Sequence, residues 1–151
     1  MKLVVILVLT IGCCVTASGQ TLSNRQLARL KLSAAERREL IKRFQLFVEY
    51  EKTQAYDKQF ELLAKHHLAN LLHMDVNKES YVKFKQQTEA AAGKVLGVRV
   101  KGITRMAEDE GGFEFNVVAK VEKDGRVYSD APIFAGYLVK GAWYFSMLYI
   151  N

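Results

Sequence analysis

Ala92-Gly93-Lys94-Val95-Leu96-Gly97-Val98-Arg99-Val100-Lys101 is the stretch in which the chain changes its apolar rhythm. Before Gly93, apolar residues recur every three or four positions, the period of one helix face. After it they recur every second position, the period of a strand with one buried side. Leu96, Val98 and Val100 alternate with Gly97, Arg99 and Lys101. Further on, Phe113, Phe115, Val117, Ala119 and Val121 alternate with Glu114, Asn116, Val118, Lys120 and Glu122. Gly93 itself reads as a helix stop, since that position commonly needs positive φ. The switch predicts an α+β domain, helices first and antiparallel strands second.

On the helical side, Ser33-Ala34-Ala35-Glu36 reads as a capping box that starts a helix. Leu40, Ile41, Phe44, Phe47, Val48 and Glu51 then form one wide stripe, with Arg37, Lys42 and Gln45 toward water. The pattern breaks at 53–57, where Asp57 is placed to cap a second helix carrying Phe60, Leu63, Ala64, His67, Leu68 and Leu71. A third helix starts near Asn77, with Tyr81, Phe84, Thr88 and Ala91 or Ala92 inward. On the strand side, Asp124-Gly125 and Lys140-Gly141 predict tight hairpin turns. The result is four antiparallel strands in meander order, the last running from Trp143 to Ile150. Pro132 cannot donate to a ladder, so the third strand either bulges there or starts its regular part after it.

Three N-terminal helices before a bent four-stranded meander, with Ala55-Tyr56-Asp57 opening the second helix and Gly141-Ala142-Trp143-Tyr144 before the last strand, resembles the nuclear-transport-factor-two-like superfamily. That cone-shaped, cystatin-like group includes the SnoaL-like cyclases and the ketosteroid isomerases, and the resemblance covers Ser33 to Asn151. It implies that the three helices pack in the concave face of the curved meander and leave a pocket lined by the first helix and the inward strand residues. The lining would be Phe44, Phe47, Tyr56, Phe60, Phe113, Phe115, Val117, Phe134, Trp143, Phe145 and Met147. Such an apolar set suits a hydrophobic ligand, and aromatic stripes at this spacing equally make plain core. Between Leu68 and Asn77, where members of the group often carry a short hairpin, no turn signal stands. Setting Tyr56-Asp57 at the start of the family's second helix brings its first-helix tyrosine near Phe47, which has no hydroxyl to polarise a carbonyl.

Chemistry is thinly signalled. Tyr56, His67 and Asp130 are the candidate catalytic groups, suited to a small lyase, isomerase or hydrolase. His66, His67 and His73 stand near Asp75, but neighbouring helical residues diverge by about 100°, and His67 shares a stripe with Leu63 and Leu71. No metal-ligand spacing or nucleotide fingerprint occurs, so neither a metal nor a cofactor is expected. Glu108-Asp109-Glu110 reads as part of a solvated turn. Asn116 and Asp130 are expected on strand faces opposite the apolar sets.

Half of the 151 residues are apolar or aromatic, an ordinary globular composition. Lys2, the apolar run Leu3 to Ile11 and the small residues Ala17 and Gly19, or Val15 and Ala17, read as a secretory leader. An uncleaved anchor is the alternative. Thr10-Ile11-Gly12-Cys13 also resembles a bacterial lipoprotein box, with Cys13 as the lipidated residue and Thr10 where leucine is preferred. Residues 1–19 are thus read as a signal peptide, 20–32 as a flexible basic arm and 33–151 as the α+β domain. Cys13 and Cys14 both precede residue 20, which leaves the domain without thiols.

The net charge of +6 is uneven: Arg25, Arg29, Lys31, Arg37, Arg38, Lys42 and Arg43 face only Glu36 and Glu39. Function is expected to be that of a secreted or periplasmic binding or interaction domain with an apolar pocket. Its partner would be a small apolar molecule or a protein, with homodimerisation through an outer sheet face carrying Val118, Tyr128, Tyr137, Tyr144 and Tyr149. A membrane role follows only if the leader is lipidated or retained. Nucleic acid is the less favoured use of the basic segment.

Overall fold

Ser33 starts the main helix as its context predicts. In the computed structural model, which describes residues 22, 24–65, 77–107 and 111–150, Ser33 Oγ accepts from the Glu36 amide at 3.2 Å, and the Glu36 carboxylate accepts from the Ser33 amide at 2.7 Å. Asn77 and Ser80 repeat the device at the start of the helix Lys78–Ala92. The helical elements are α1 (Asn24–Ala28), α2 (Ala34–Lys52), α3 (Tyr56–Gln59) with a 3-10 turn (Phe60–Leu62), and α4 (Lys78–Ala92). The strands are β1 (Lys94–Arg105), β2 (Gly112–Lys123), β3 (Arg126–Asp130), β4 (Ile133–Val139) and β5 (Ala142–Phe145).

All pairings in the sheet are antiparallel, in the order β1-β2-β4-β5 with β3 also on β2. β3 lies against Ala119 to Lys123 and β4 against Gly112 to Asn116, so the two are halves of one expected strand. Pro132 sits in the gap between them, where no ladder amide is needed. The meander is closed by two tight turns whose central pairs both take positive φ, Asp124 (51°) with Gly125 (73°) and Lys140 (50°) with Gly141 (80°). Gly93 has φ 104° and lies so close to β2 that an added Cβ would stand 2.5 Å from the Glu122 carbonyl oxygen. Only glycine lets α4 turn into β1 here.

The sheet curls into a half-barrel with the helices N-terminal to it in the chain. Val98, Val100 and Ile103 of β1 stand opposite Ala119, Val117 and Phe115 of β2, so one face of both strands is apolar. Phe44 and Phe47 of α2 meet Phe115, Phe134 and Phe145 of the sheet.

Several sequence expectations are corrected. The register shifts between Val95 and Gly97, so the bulge turns Val95 inward and leaves Leu96 37% exposed. The second helix begins at Tyr56, with Asp57 already inside its first turn. It ends at Leu62, because Leu63 is extended and bridges to Phe145 while the Ala64 amide donates to the Phe145 carbonyl at 2.8 Å. A long-range strand contact thus outcompetes the helical pattern. The last strand stops at Phe145, and Met147, Leu148 and Ile150 are buried in an irregular tail.

The arm expected to be flexible is docked over residues 24–32. Leu22, Leu27, Leu30 and Leu32 are buried, and Gln26 Nε2 donates to the carbonyls of Val100 (3.2 Å) and Lys101 (3.0 Å) on the edge strand. The leader, residues 1–19 with Cys13, lies outside the described residues. Among those described, no helix is long and apolar enough to cross a membrane.

Candidate functional site

The residues expected to line a pocket mostly line one another. Phe44 to Phe115 is 5.9 Å between ring centroids, Phe47 to Phe134 5.2 Å, Phe134 to Phe145 5.6 Å and Phe113 to Trp143 5.0 Å. Rings at these separations touch, so the space they share is filled by protein atoms. Val117 is buried beside them, and Trp143 Nε1 donates to the Glu36 carbonyl at 3.0 Å, tying β5 to the start of α2. Phe60 stands apart, against Tyr81 at 5.7 Å.

An open apolar space lies on the flank of α2 instead. The inner stripe of the helix is Leu40, Phe44, Phe47 and Glu51. Its neighbours Leu46 and Val48 flank that stripe and share an open space with Val98 of β1. The groove between them measures about 420 Å³ and is walled by Phe44, Leu46, Val48 and Val98, with Gln45 and Glu49 beside them and Lys42 and Lys52 at its rim. Lys52 pairs with Glu49 at 3.4 Å. Lys42 is exposed and, among the described residues, has no ion-pair partner. The arrangement offers hydrocarbon walls and an ammonium at the mouth.

A second constellation fills the junction of α2, α3 and α4. Glu51 and Lys85 are 2% and 3% exposed and meet at 2.6 Å. Lys85 Nζ also donates to the Leu148 carbonyl at 3.2 Å. Gln59 Nε2 donates to Glu51 at 2.7 Å and to the Phe47 carbonyl at 3.2 Å, while Tyr81 donates to Gln59 Oε1 at 2.6 Å. Beyond Lys85, whose Nζ stands 5.3 Å from the Tyr56 ring centre, the Tyr56 hydroxyl and Gln54 Nε2 both donate to the Glu89 carboxylate. These last groups wall a polar cleft of about 520 Å³, completed by Gln86, Lys94 and the β2–β3 turn.

Burial, then the hydrogen bond to Glu89 and the nearby carboxylates, push the Tyr56 hydroxyl far above the ordinary tyrosine range. Tyr81 is likewise raised, chiefly by burial and then by Glu51 and Tyr56. Tyr56 is held here as a hydrogen-bond donor to Glu89.

Of the catalytic candidates, Tyr56 reaches a cleft and His67 lies outside the described residues, as do His66, His73, Asp75 and Glu108-Asp109-Glu110. Asp130 stands opposite Ala119, on the core side of the ladder, and accepts from the Ala131 amide at 2.9 Å. Its expected outward placement is corrected, because the turn at Asp124 sets Val121 against Tyr128 and fixes the parity of β3. Tyr128 turns inward for the same reason and donates to the Ala92 carbonyl. Asn116 is exposed as expected. Tyr137 and Tyr144 pair across strands on the outer face, and Tyr149 packs on Phe84 at 6.4 Å. Among the described residues no three metal-type ligands converge.

Lys85 was missed by pattern reading. Its signal was an acid on an apolar stripe: Glu51 in that position calls for a cation, and Lys85 stands four residues after buried Tyr81 on the helix that packs nearby.

No protein-family model matches the chain, and no curated protein matches it. Among solved structures it is similar to the solution structure of a SEC-C motif containing protein from Rhodopseudomonas palustris, with a TM-score of 0.48 and 16% sequence identity, covering 84% of this chain and 88% of that chain. The family expected from the sequence is corrected: no family model supports the nuclear-transport-factor-two-like resemblance, and the similar solved structure is described as a SEC-C motif containing protein. The correspondences drawn for Phe47, Tyr56 and Asp57 lapse with it. No role for any residue of this chain follows from the new likeness.

Proposed function

We propose that this chain is an exported small binding domain whose ligand is an anionic amphiphile, a hydrocarbon chain ending in a carboxylate or similar acid. The observation that carries the reading is the α2/β1 groove of about 420 Å³, with Leu46, Val48 and Val98 on its walls and, at its rim, the Lys42 ammonium, which has no ion-pair partner among the described residues. That volume is in the range of small-molecule sites. An apolar tail gains from leaving water in proportion to the area covered, and a terminal anion placed at Lys42 keeps its charge in solvent while gaining a partner. The leader-like residues 1–19 support export. The intact mass of protein recovered from the medium tests it: retention of residues 1–19 argues against a cleaved leader.

Isothermal titration with dodecanoate tests the groove. Dodecanoate is expected to bind and dodecyltrimethylammonium, of opposite charge, to bind at least tenfold more weakly. Gln45→Trp, on an exposed groove residue, should fill the space and abolish binding, and Lys42→Glu should weaken dodecanoate about tenfold. Equal binding of the two surfactant charges, or full affinity in the tryptophan variant, overturns the proposal.

A further inference from the structure

The cations of the N-terminal third extend well beyond the groove. Arg25, Arg29, Lys31, Arg38 and Lys42 are exposed, and among the described residues none of them is in an ion pair. The two carboxylates nearby are already engaged: Glu36 closes its own helix cap, and Glu39 lies 3.9 Å from Arg43. β1, to which Gln26 fastens α1 at Val100 and Lys101, adds Arg99, Lys101 and Arg105 on that side and carries no acid. Because Leu22, Leu27, Leu30 and Leu32 are buried, these charges are held on a docked scaffold. Uncompensated cations held in fixed positions retain their field and lose little freedom on meeting a polyanion.

We infer that this basic face docks the domain on an anionic lipid surface. Two observations favour lipid over nucleic acid. The face runs into the apolar groove at Lys42 and the 37%-exposed Leu46, so a hydrocarbon site opens within the charged patch. Residues 24–43 also contain no aromatic ring on which a base could stack. Phosphate headgroups would meet Arg25, Arg29, Lys31 and Arg38, and a membrane-borne amphiphile would stand at the groove mouth. The second half of this picture rests on the ligand proposed above; the docking itself does not.

Cosedimentation of the purified protein with phosphatidylcholine vesicles, with and without phosphatidylserine, tests the inference. Binding is expected only with phosphatidylserine and should weaken as salt shortens the screening length. A juxtamembrane cation contributes about fivefold in binding, so Arg25→Gln/Arg29→Gln/Arg38→Gln should lower partitioning about a hundredfold. These exposed sites lie off the groove, so thermal unfolding and dodecanoate affinity should be unchanged. Conversely, Gln45→Trp should lose dodecanoate and keep the vesicles, which separates failure of the groove reading from failure of the docking. Equal binding to both vesicles, unchanged binding of the triple variant, or displacement from phosphatidylserine vesicles by a DNA duplex at matched phosphate concentration overturns the inference, the last in favour of nucleic acid.

Discussion

Between α2 and the sheet the fully covered side chains are aromatic and aliphatic, whereas at the junction of α2, α3 and α4 the covered groups include Glu51, Gln59 and Lys85. The first region is held by area removed from water and by ring contacts that need only rough shape complementarity. The second must satisfy every donor and acceptor, because a buried polar group without a partner is costly. Its bonds are correspondingly complete: Gln59 serves α2 with its amide nitrogen and α4 with its oxygen, and Lys85 serves α2 and the C-terminal tail. The apolar region thus sets how tightly the helices lie on the sheet. The polar region sets which part of each helix meets which.

The largest effects should come from single cuts in either region. Phe115→Ala is expected to destabilise by about 3–5 kcal/mol through lost transfer energy and the cavity left among Phe44, Phe134 and Phe145. Lys85→Met should cost a similar amount, about 3–5 kcal/mol, by leaving the Glu51 carboxylate buried without its cation. The regions part company in the double variants. Adding Glu51→Met to Lys85→Met should return most of the loss, since two apolar side chains replace a pair whose attraction is offset by desolvation. Adding Phe134→Ala to Phe115→Ala should only deepen the damage. Urea unfolding of these four variants, with Glu51→Met and Phe134→Ala alone, reads both cycles. A Lys85→Met/Glu51→Met chain less stable than Lys85→Met alone would show that the pair does more than cancel its own burial.

How far each region can be read from sequence follows the same division. Phe44 and Phe47 on α2, and Phe113, Phe115 and Val117 on β2, announce themselves by period, because burial on one face is a local constraint. The hairpins at Asp124-Gly125 and Lys140-Gly141, the stop at Gly93 and the break at Pro132 are equally local, each being a demand of backbone geometry or a missing amide. The end of the second helix at Leu62 is not local. It depends on Phe145, which lies more than eighty residues away in the chain. Nor is the burial of Lys85, which a pattern assigns to water until Glu51 is set against it. The groove escaped for a third reason: it lies on the flank of α2 against Val98, off the apolar stripe that the period marks, and its strand wall follows a register shift whose position decides whether Val95 or Leu96 faces inward.

The smallest expected effect is also the most selective, because only the polar region titrates. Tyr81 is buried with its hydroxyl on Gln59 Oε1, and its ionisation is raised above the ordinary value of 10.0. Tyr56 is raised in the same direction. In the unfolded chain both phenols lose their protons near pH 10.0, while in the folded chain they hold them to higher pH. Between those limits the folded state binds more protons, so stability is at its full value below pH 10.0 and falls as pH rises beyond it. Tyr81→Phe removes one of the two groups. At neutral pH it should cost about 1–2 kcal/mol, because Gln59 Oε1 is left without its donor. Above pH 10.0 the variant should lose stability less steeply than the parent, and the two curves should converge. Phe113→Leu, in the apolar region, should instead lower the whole curve and leave its alkaline slope as it was. Urea midpoints measured from pH 7 to pH 11 would show the difference, and parallel curves for Tyr81→Phe and its parent would mean that the Tyr81 proton is not held by the fold.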